Sequence, residues 1–282
     1  MSRRIDLHTH STASDGTTPP AQLVAEAQAA GLDVIALTDH DTTGGWAEAA
    51  EALPSGLDLV RGAEISCIRD GISLHLLAYL FDPEEPAFAD ARRELRESRI
   101  GRAERMVRLM EDDGHPVNWA QVQGLAGGTV GRPHIAQALM AHGLVGSVEE
   151  AFRPDWIGTN GRYWVAKREL DVVEAVRLVT GAGGVAVFAH PAAARRGRTV
   201  GDDVIALMAE AGLAGLEVDH IDHDDAARAH LRGLARDLGL LTTGSSDFHG
   251  TNKTVRLGAN LTPVEAYEQI VARATGAKIV HA

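Results

Sequence analysis

The chain has 282 residues, a length that suits one α/β barrel with or without an insertion. Hydrophobic residues make up 45% and aromatics only 4%, so a large core must come mostly from Ala, Val, Leu and Ile; one cysteine, Cys67, excludes an internal disulfide framework, and the interrupted apolar runs exclude a transmembrane helix. A net charge of −12 disfavours long nucleic acid, which is held largely by Lys and Arg on phosphates, but not a small phosphorylated ligand at a local cationic site.

The first apolar run, RIDLH, reads as a short buried strand leading into His8 and His10. Alternate residues on a strand share a face, so both imidazoles can reach one ion, although the pair alone is a weak signal. Asp15 is either an oxygen ligand or a turn residue before Gly16. A candidate ligand at position 8 leaves no room for a cleavable leader, and a cytoplasmic location is expected. PPAQLVAEAQAAG reads as a helix that starts at Pro and stops at Gly31.

DVIALTDH is the second strand. Its polar end offers His40 as a ligand and Asp39 as an orienting group, because ligating histidines usually donate their second N–H to such a partner. Asp41, Thr42 or Thr43 would cap the next helix. The third strand, LDLVRGAEIS, sets Glu64 between Ala63 and Ile65. A buried unpaired carboxylate is costly, so Glu64 either meets solvent or binds a cation, and its two oxygens could bridge two ions. Cys67 is expected in the core. The fourth strand, ISLHLLAYL, carries His75 among apolar neighbours.

From about 100 to 165 the rhythm breaks. RIGRAERMVRLMEDDG and RPHIAQALMAHG read as helices, whereas VEEAFRPDWIGTNGRYWVAK has no clear pattern. The expected organisation is a barrel of residues 1–99 and 166–282 with a mainly helical insertion, 100–165, covering the pocket. Arg132 and His134 lie in the first turn of a helix, where free N–H groups favour anions; they are candidates for substrate phosphate or for helix capping.

GVAVFAH, the fifth strand, ends in His190, and the loop ARRGR (Arg195, Arg196, Arg198) follows as an exposed border of the pocket. A helix over TVGDDVIALMAEAG leads to the sixth strand, GLEVDH, with Glu217 and His220 at its end. His220 is a pocket-wall candidate; His115, His142, His223, His230 and His281 are expected on the surface. After a helix ending at Gly239, GLLTTGSSDFH closes the set with Asp247 and His249, the same i, i+2 spacing as the opening pair. Alternating strands and helices imply a mostly parallel sheet. The carboxyl ends of a parallel barrel open on one face, where these dispersed residues would converge.

The ordered set DLHTHSTASDG, LTDHD, GAEIS, LHLLAYL, AHP and GSSDFHG resembles the PHP (polymerase and histidinol phosphatase) superfamily as far as about residue 250. RPHIA within a helical insertion resembles its stand-alone phosphoesterases. The resemblance implies a distorted seven-stranded (β/α) barrel with two or three divalent ions, Mn, Fe or Zn. His8, His10, Glu64 and Asp247 would hold one ion, Asp15, His40 and His249 a second, and Glu64, His75 and His190 a third. Asp15 stands where some relatives have His, which makes that site more anionic and favours Mn or Fe.

The implied reaction removes phosphate from nucleoside 3′,5′-bisphosphates or monophosphates, or acts at the 5′ ends of short RNA, by a metal-activated hydroxide. Glu64, Asp247 and Asp39 are the carboxylates assigned to catalysis, and no side-chain nucleophile is expected. A histidinol-phosphate phosphatase, or another small-molecule phosphatase, is the alternative within hydrolases. A non-catalytic metal-binding scaffold is the alternative outside them. The expected partner is a small phosphorylated substrate, with no long DNA and no membrane.

Overall fold

The computed structural model describes residues 3–282. All seven expected apolar runs are strands: β1 (Ile5–Thr9), β2 (Val34–Leu37), β3 (Asp58–Arg69), β4 (Ile72–Tyr79) and, beyond a two-residue β5 (Leu170–Asp171), β6 (Val185–Phe188), β7 (Gly215–Asp219) and β8 (Leu241–Gly244). The sheet order is β1-β2-β3-β4-β6-β7-β8, with β5 and a C-terminal β9 (Val280–His281) pairing beside β3. Thr9 bridges Phe248 just past β8, and His10 N donates to Phe248 O at 2.9 Å. The sheet thereby curls into a nearly closed barrel. No helix among the described residues is long and apolar enough to cross a membrane.

Of the seven expected strands, one departs from the parallel expectation; the added β9 also runs antiparallel, to β3. β4 runs antiparallel to both β3 and β6. The cause is local: Asp70 and Gly71 both have positive φ, 51° and 72°, the backbone of a two-residue hairpin turn for which Asp-Gly is suited. His75 therefore lies within a reversed strand, opposite Ser66, rather than at a strand's carboxyl end.

Strand alternation divides the core in two. Val34, Ala36, Val60, Leu77, Tyr79, Val187 and Leu241 point inward with Ile5 and Leu7, and helix α10 (Val264–Arg273) plugs them with Tyr267 and Ile270. The opposite faces pack outward on the surrounding helices, α1 (Pro20–Ala29), α2 (Trp46–Glu51), α7 (Val172–Gly181), α8 (Asp202–Glu210) and α9 (Asp225–Leu238). His40, Glu64, His75, Glu217 and Asp247 share parity with the inward residues of their strands, so they form the layer above the inner core. In β1 the register against β2 shifts between Asp6 and Thr9, and this irregularity lets His8 join them.

The helical segment has its own core. Helix α3 (Pro86–Asp112) runs straight through residue 100, where the division between barrel and insertion is expected. Its first half places Phe88 and Leu95 in the outer barrel core; its second half places Ala103, Met106, Val107 and Met110 with Val122, Ile135, Leu139 and Ile157. Helices α4 (Trp119–Leu125), α5 (Arg132–Ala141) and α6 (Val148–Ala151) complete this layer.

Candidate metal centre

The barrel mouth gathers every histidine and carboxylate of the expected ligand sets. Glu64, 1% exposed, is at their centre. Its Oε2 lies 3.3 Å from His8 Nε2, 3.1 Å from His10 Nε2 and 3.2 Å from His40 Nδ1. Its Oε1 lies 2.8 Å from His75 Nδ1 and 3.0 Å from His190 Nε2. The two oxygens thus face different sets of imidazoles. Asp247 Oδ1 stands 3.5 Å from both His8 and His10 Nε2. Asp15 reaches His249 Nε2 at 3.4 Å and His40 Nε2 at 3.6 Å.

The side chains are fixed as a ligand set requires. His8 Nδ1–H donates to Glu217 Oε1 at 2.9 Å, which leaves Nε2 bare. His249 Nδ1–H donates to the Asp247 carbonyl at 2.9 Å and frees its Nε2 in the same way. His190 and Asp247 hold positive φ, 33° and 54°, a strained conformation for residues with a Cβ. Such strain clusters where a side chain must be aimed against the preference of the backbone.

Charge follows the same logic. Burial opposes ionisation of Glu64, but His75, His40 and His8 outweigh it and hold the carboxyl well below the usual range. Asp15 is held low against burial by His40 and His249, and Asp247 by Lys253 and His8. Burial, together with Arg196, lowers His190 to about 3, and burial pushes His40 well below an ordinary histidine. His8 runs the other way: burial disfavours its charge, but Glu217, Glu64 and Asp247 raise it. Ionised carboxylates beside mostly neutral imidazoles are the forms that ligate divalent ions.

Two observations test the fit of metal ions. His40 Nδ1 and His75 Nδ1 are buried, and although Glu64 oxygens lie 3.2 and 2.8 Å away, neither nitrogen makes an aligned hydrogen bond among the described residues, whereas buried ring nitrogens ordinarily do. In addition, four donors about 2.0–2.1 Å from a tetrahedral ion stand ~3.3 Å apart. His8 and His10 Nε2 stand 3.0 Å apart, and each lies 3.1 to 3.5 Å from Glu64 Oε2 and Asp247 Oδ1. Three donor groups converge in this way: His8, His10 and Asp247; His10, Asp15, His40 and His249; and His40, Glu64 and His75. The site fits divalent metal ions.

Asp39 does not play the part expected of it. Its Oδ1 accepts Ser11 N at 2.8 Å and Ser14 Oγ at 2.6 Å, and its Oδ2 accepts Ser11 Oγ at 2.7 Å. Saturated by these donors, it braces the loop that carries Asp15 rather than orienting His40. His223 also departs from expectation, being 4% exposed. Its Nδ1–H donates to Val218 O and its Nε2 accepts Ala192 N–H, which tethers the loop after His190 to β7. Arg196 is not a free loop residue: with Lys253 and His220 it donates to Asp247 Oδ2, at 2.7, 2.5 and 3.2 Å.

Beside the cluster, Arg132 is joined by three cations with no counterpart in the sequence reading: Arg99, Arg102 and Lys167. Arg99 pairs with Asp41 at 2.9 Å and donates to Ser66 Oγ at 2.7 Å. Arg102 is 5% exposed, and its Nε has no partner among the described residues. Burial, then Arg132 and Arg99, pull its guanidinium well below the usual value. Burial and Arg99 lower Arg132 to about 10 and Lys167 to about 8. Lys167 pairs with Glu169 at 2.8 Å. Arg132 opens α5, stacks on Phe152 and donates to Ile157 O at 3.3 Å. His134 caps that helix, with Nδ1 accepting Gly131 N–H at 2.9 Å.

A sequence signal for these cations exists. The buried stripe of α3 runs Phe88, Arg92, Leu95, Arg99, Arg102 and Met106, so arginines occupy positions that an amphipathic helix gives to apolar residues. The insertion also presses on the ligand loop. Thr129 N donates to Ala13 O at 2.9 Å, and a Cβ on Gly128 would come within 2.3 Å of that oxygen.

Comparison with known proteins agrees with this geometry. The sequence pattern of the PHP domain family matches residues 6–115. The chain is similar to a 5′-3′ exoribonuclease of Haemophilus influenzae, 33% identical over 94% of this chain and 97% of that protein. It is similar to a 3′,5′-nucleoside bisphosphate phosphatase of Chromobacterium violaceum, 34% identical over 87% of each. Among solved structures, a candidate metal-dependent phosphoesterase of Bifidobacterium adolescentis superposes with a TM-score of 0.92, at 36% identity and 98% coverage of both chains.

Proposed function

The chain belongs to the PHP domain family, and on that premise we propose that it removes phosphate from nucleoside 3′,5′-bisphosphates. In this reading the scissile phosphate would meet the bound ions and the second phosphate the cluster of Arg99, Arg102, Arg132 and Lys167. The broader activity, metal-dependent hydrolysis of phosphate esters, rests on the whole set of relatives. The observation that carries the substrate choice is Arg102, a buried guanidinium whose Nε lacks a partner among the described residues beside two further arginines. A buried charge without a counterion is costly, and a phosphate dianion supplies one.

Divalent ions, when bound, neutralise phosphate oxygens and acidify water near neutral pH. Three such ions, Mn or Fe, would be held by the ligand sets above, and Glu64 belongs to two of those sets. The chain's own groups do the rest. Arg196 and Lys253 occupy Asp247 Oδ2 and so keep Oδ1 turned to the cluster. Asp39 holds the Asp15 loop through Ser11 and Ser14. Arg132, at the start of α5, adds a fork of donors to the free N–H groups of the helix. The segment 100–165 serves as a cap that limits water around the pocket, and the cytoplasm is the compartment we assign.

A 5′-phosphorylated end of short RNA also carries two phosphates on its first nucleoside, a 5′ monoester and a 3′ diester. The partly exposed side chains of Arg196 and Lys253, 35% and 30%, leave that side of the mouth open to a continuing strand. Phosphate and nucleotide release from adenosine 3′,5′-bisphosphate, AMP, histidinol phosphate and a short 5′-phosphorylated RNA tests the reading, using apo-protein reloaded with Mn²⁺, Fe²⁺ or Zn²⁺. Preference for the bisphosphate or the RNA over AMP supports it. Preference for histidinol phosphate overturns it.

A further inference from the structure

Glu217 lies outside every expected ligand set. It is fully buried in the middle of the short strand β7. Its Oε1 accepts His8 Nδ1–H at 2.9 Å and Ser245 Oγ–H at 2.6 Å, and its Oε2 accepts the backbone N–H of His190 at 2.8 Å. A single carboxylate therefore touches the ends of β1, β6 and β8.

We propose that Glu217 is a positioning residue that couples two ion sites, because it orients His8 of one and the strained backbone of His190 of another. Two physical points support it. A carboxylate on Nδ1 fixes the His8 tautomer with Nε2 bare and raises its basicity as a ligand. His190 sits at φ 33°, a conformation its Cβ disfavours, and the N–H of that same residue is the group held by Glu217. Losing either contact frees the ring to leave the cluster. The remaining set, Asp15, His40 and His249, makes no hydrogen bond to Glu217; Asp39 and the Asp247 carbonyl brace it instead. The inference rests on the reading that these histidines hold ions.

The test is a Mn²⁺ binding isotherm on the full-length apo-protein, followed by electron paramagnetic resonance. Wild type, Glu217→Gln and Asp15→Ala are compared, with melting temperatures of the apo-proteins alongside. Gln offers one acceptor oxygen in place of two and cannot satisfy both ends. The expected result is a loss of about 10- to 100-fold in affinity for the ions at His8 and at His190. The affinity removed by Asp15→Ala should survive in Glu217→Gln.

An isotherm identical to wild type overturns the proposal, as does an equal weakening of all ions. Wild type that binds no Mn²⁺ contradicts the metal reading itself, a separate failure. If Glu217→Gln does not fold, Ser245→Ala removes one donor from the same carboxylate and decides the matter. A smaller selective loss supports coupling, and unchanged binding overturns it.

Discussion

His8 Nε2 and His10 Nε2 stand 3.0 Å apart. In the neutral His8 ring, with its proton committed to Glu217, Nε2 presents a bare lone pair to the other ring, between the carboxylates of Glu64 and Asp247, and in the charged ring a second proton is held there in place of an ion. A divalent ion resolves this arrangement. Chelation should therefore lower the melting temperature of the purified protein, and restoring Mn²⁺ should raise it. At a free ion concentration one hundred times Kd the gain is about 2.7 kcal/mol per ion. An unchanged melting curve on adding and removing metal contradicts this.

Arg102 gives a prediction in which stability and binding move in opposite directions. Arg102→Met replaces a buried, poorly compensated cation with an apolar side chain of similar length. Such exchanges are often neutral or stabilising, by roughly 1–4 kcal/mol. The variant should melt at or above the wild-type temperature, yet show a KM for adenosine 3′,5′-bisphosphate at least about tenfold higher, with a smaller change for AMP. Arg132→Ala should share the kinetic effect. Equal changes for both substrates contradict a second-phosphate pocket.

Lys167 sets a pH dependence. Burial, then Arg99, pull its amine to about 8, below the ordinary 10.5. Between those values the unfolded chain holds more protons than the folded one, so stability contributed by this group rises with pH through that window. Below pH 8 the cost of burying the charge is present in full. Binding of a phosphate needs the charged form, so the KM for the bisphosphate should climb above about pH 8, and Lys167→Met should flatten the climb. A flat wild-type profile sinks the assignment.

Gly128 links cap and ligand loop. A Cβ there would come within 2.3 Å of Ala13 O, closer than any real contact. Gly128→Ala should cost about 1–3 kcal/mol through overpacking and shift the loop that carries Asp15. Isothermal titration with Mn²⁺ should report weaker binding at the Asp15 set than at the His8 set. Wild-type stability and binding would show that the two loops are independent.

The candidate metal ligands that gather at the barrel mouth drew notice in the sequence because most are polar residues set abruptly at or near the end of an apolar run, and because His8-x-His10 and Asp247-x-His249 repeat one spacing at opposite ends of the chain. The seven strands were readable for the same reason. Apart from one local turn, what was missed depends on partners far away in the chain. The reversal of β4 lay in Asp70-Gly71, a turn signal between two runs read as separate strands. Arg99 and Arg102 resemble a solvated helix face until the insertion folds over them. Asp39 looked like a partner for the adjacent His40, but Ser11 and Ser14 take both its oxygens. Glu217 finds His8 across 209 positions, and no local pattern announces such a contact.

Glu64 is the residue on which the account depends, since its two oxygens face two sets of imidazoles. The most direct measurement is phosphate release from adenosine 3′,5′-bisphosphate by metal-loaded wild type, chelated wild type and metal-loaded Glu64→Gln, with bound metal counted in each. The account predicts release that tracks bound metal and falls by roughly 10²-fold or more in the variant, which should also retain fewer ions. Equal release by the chelated protein, or by Glu64→Gln with its metal lost, would contradict it.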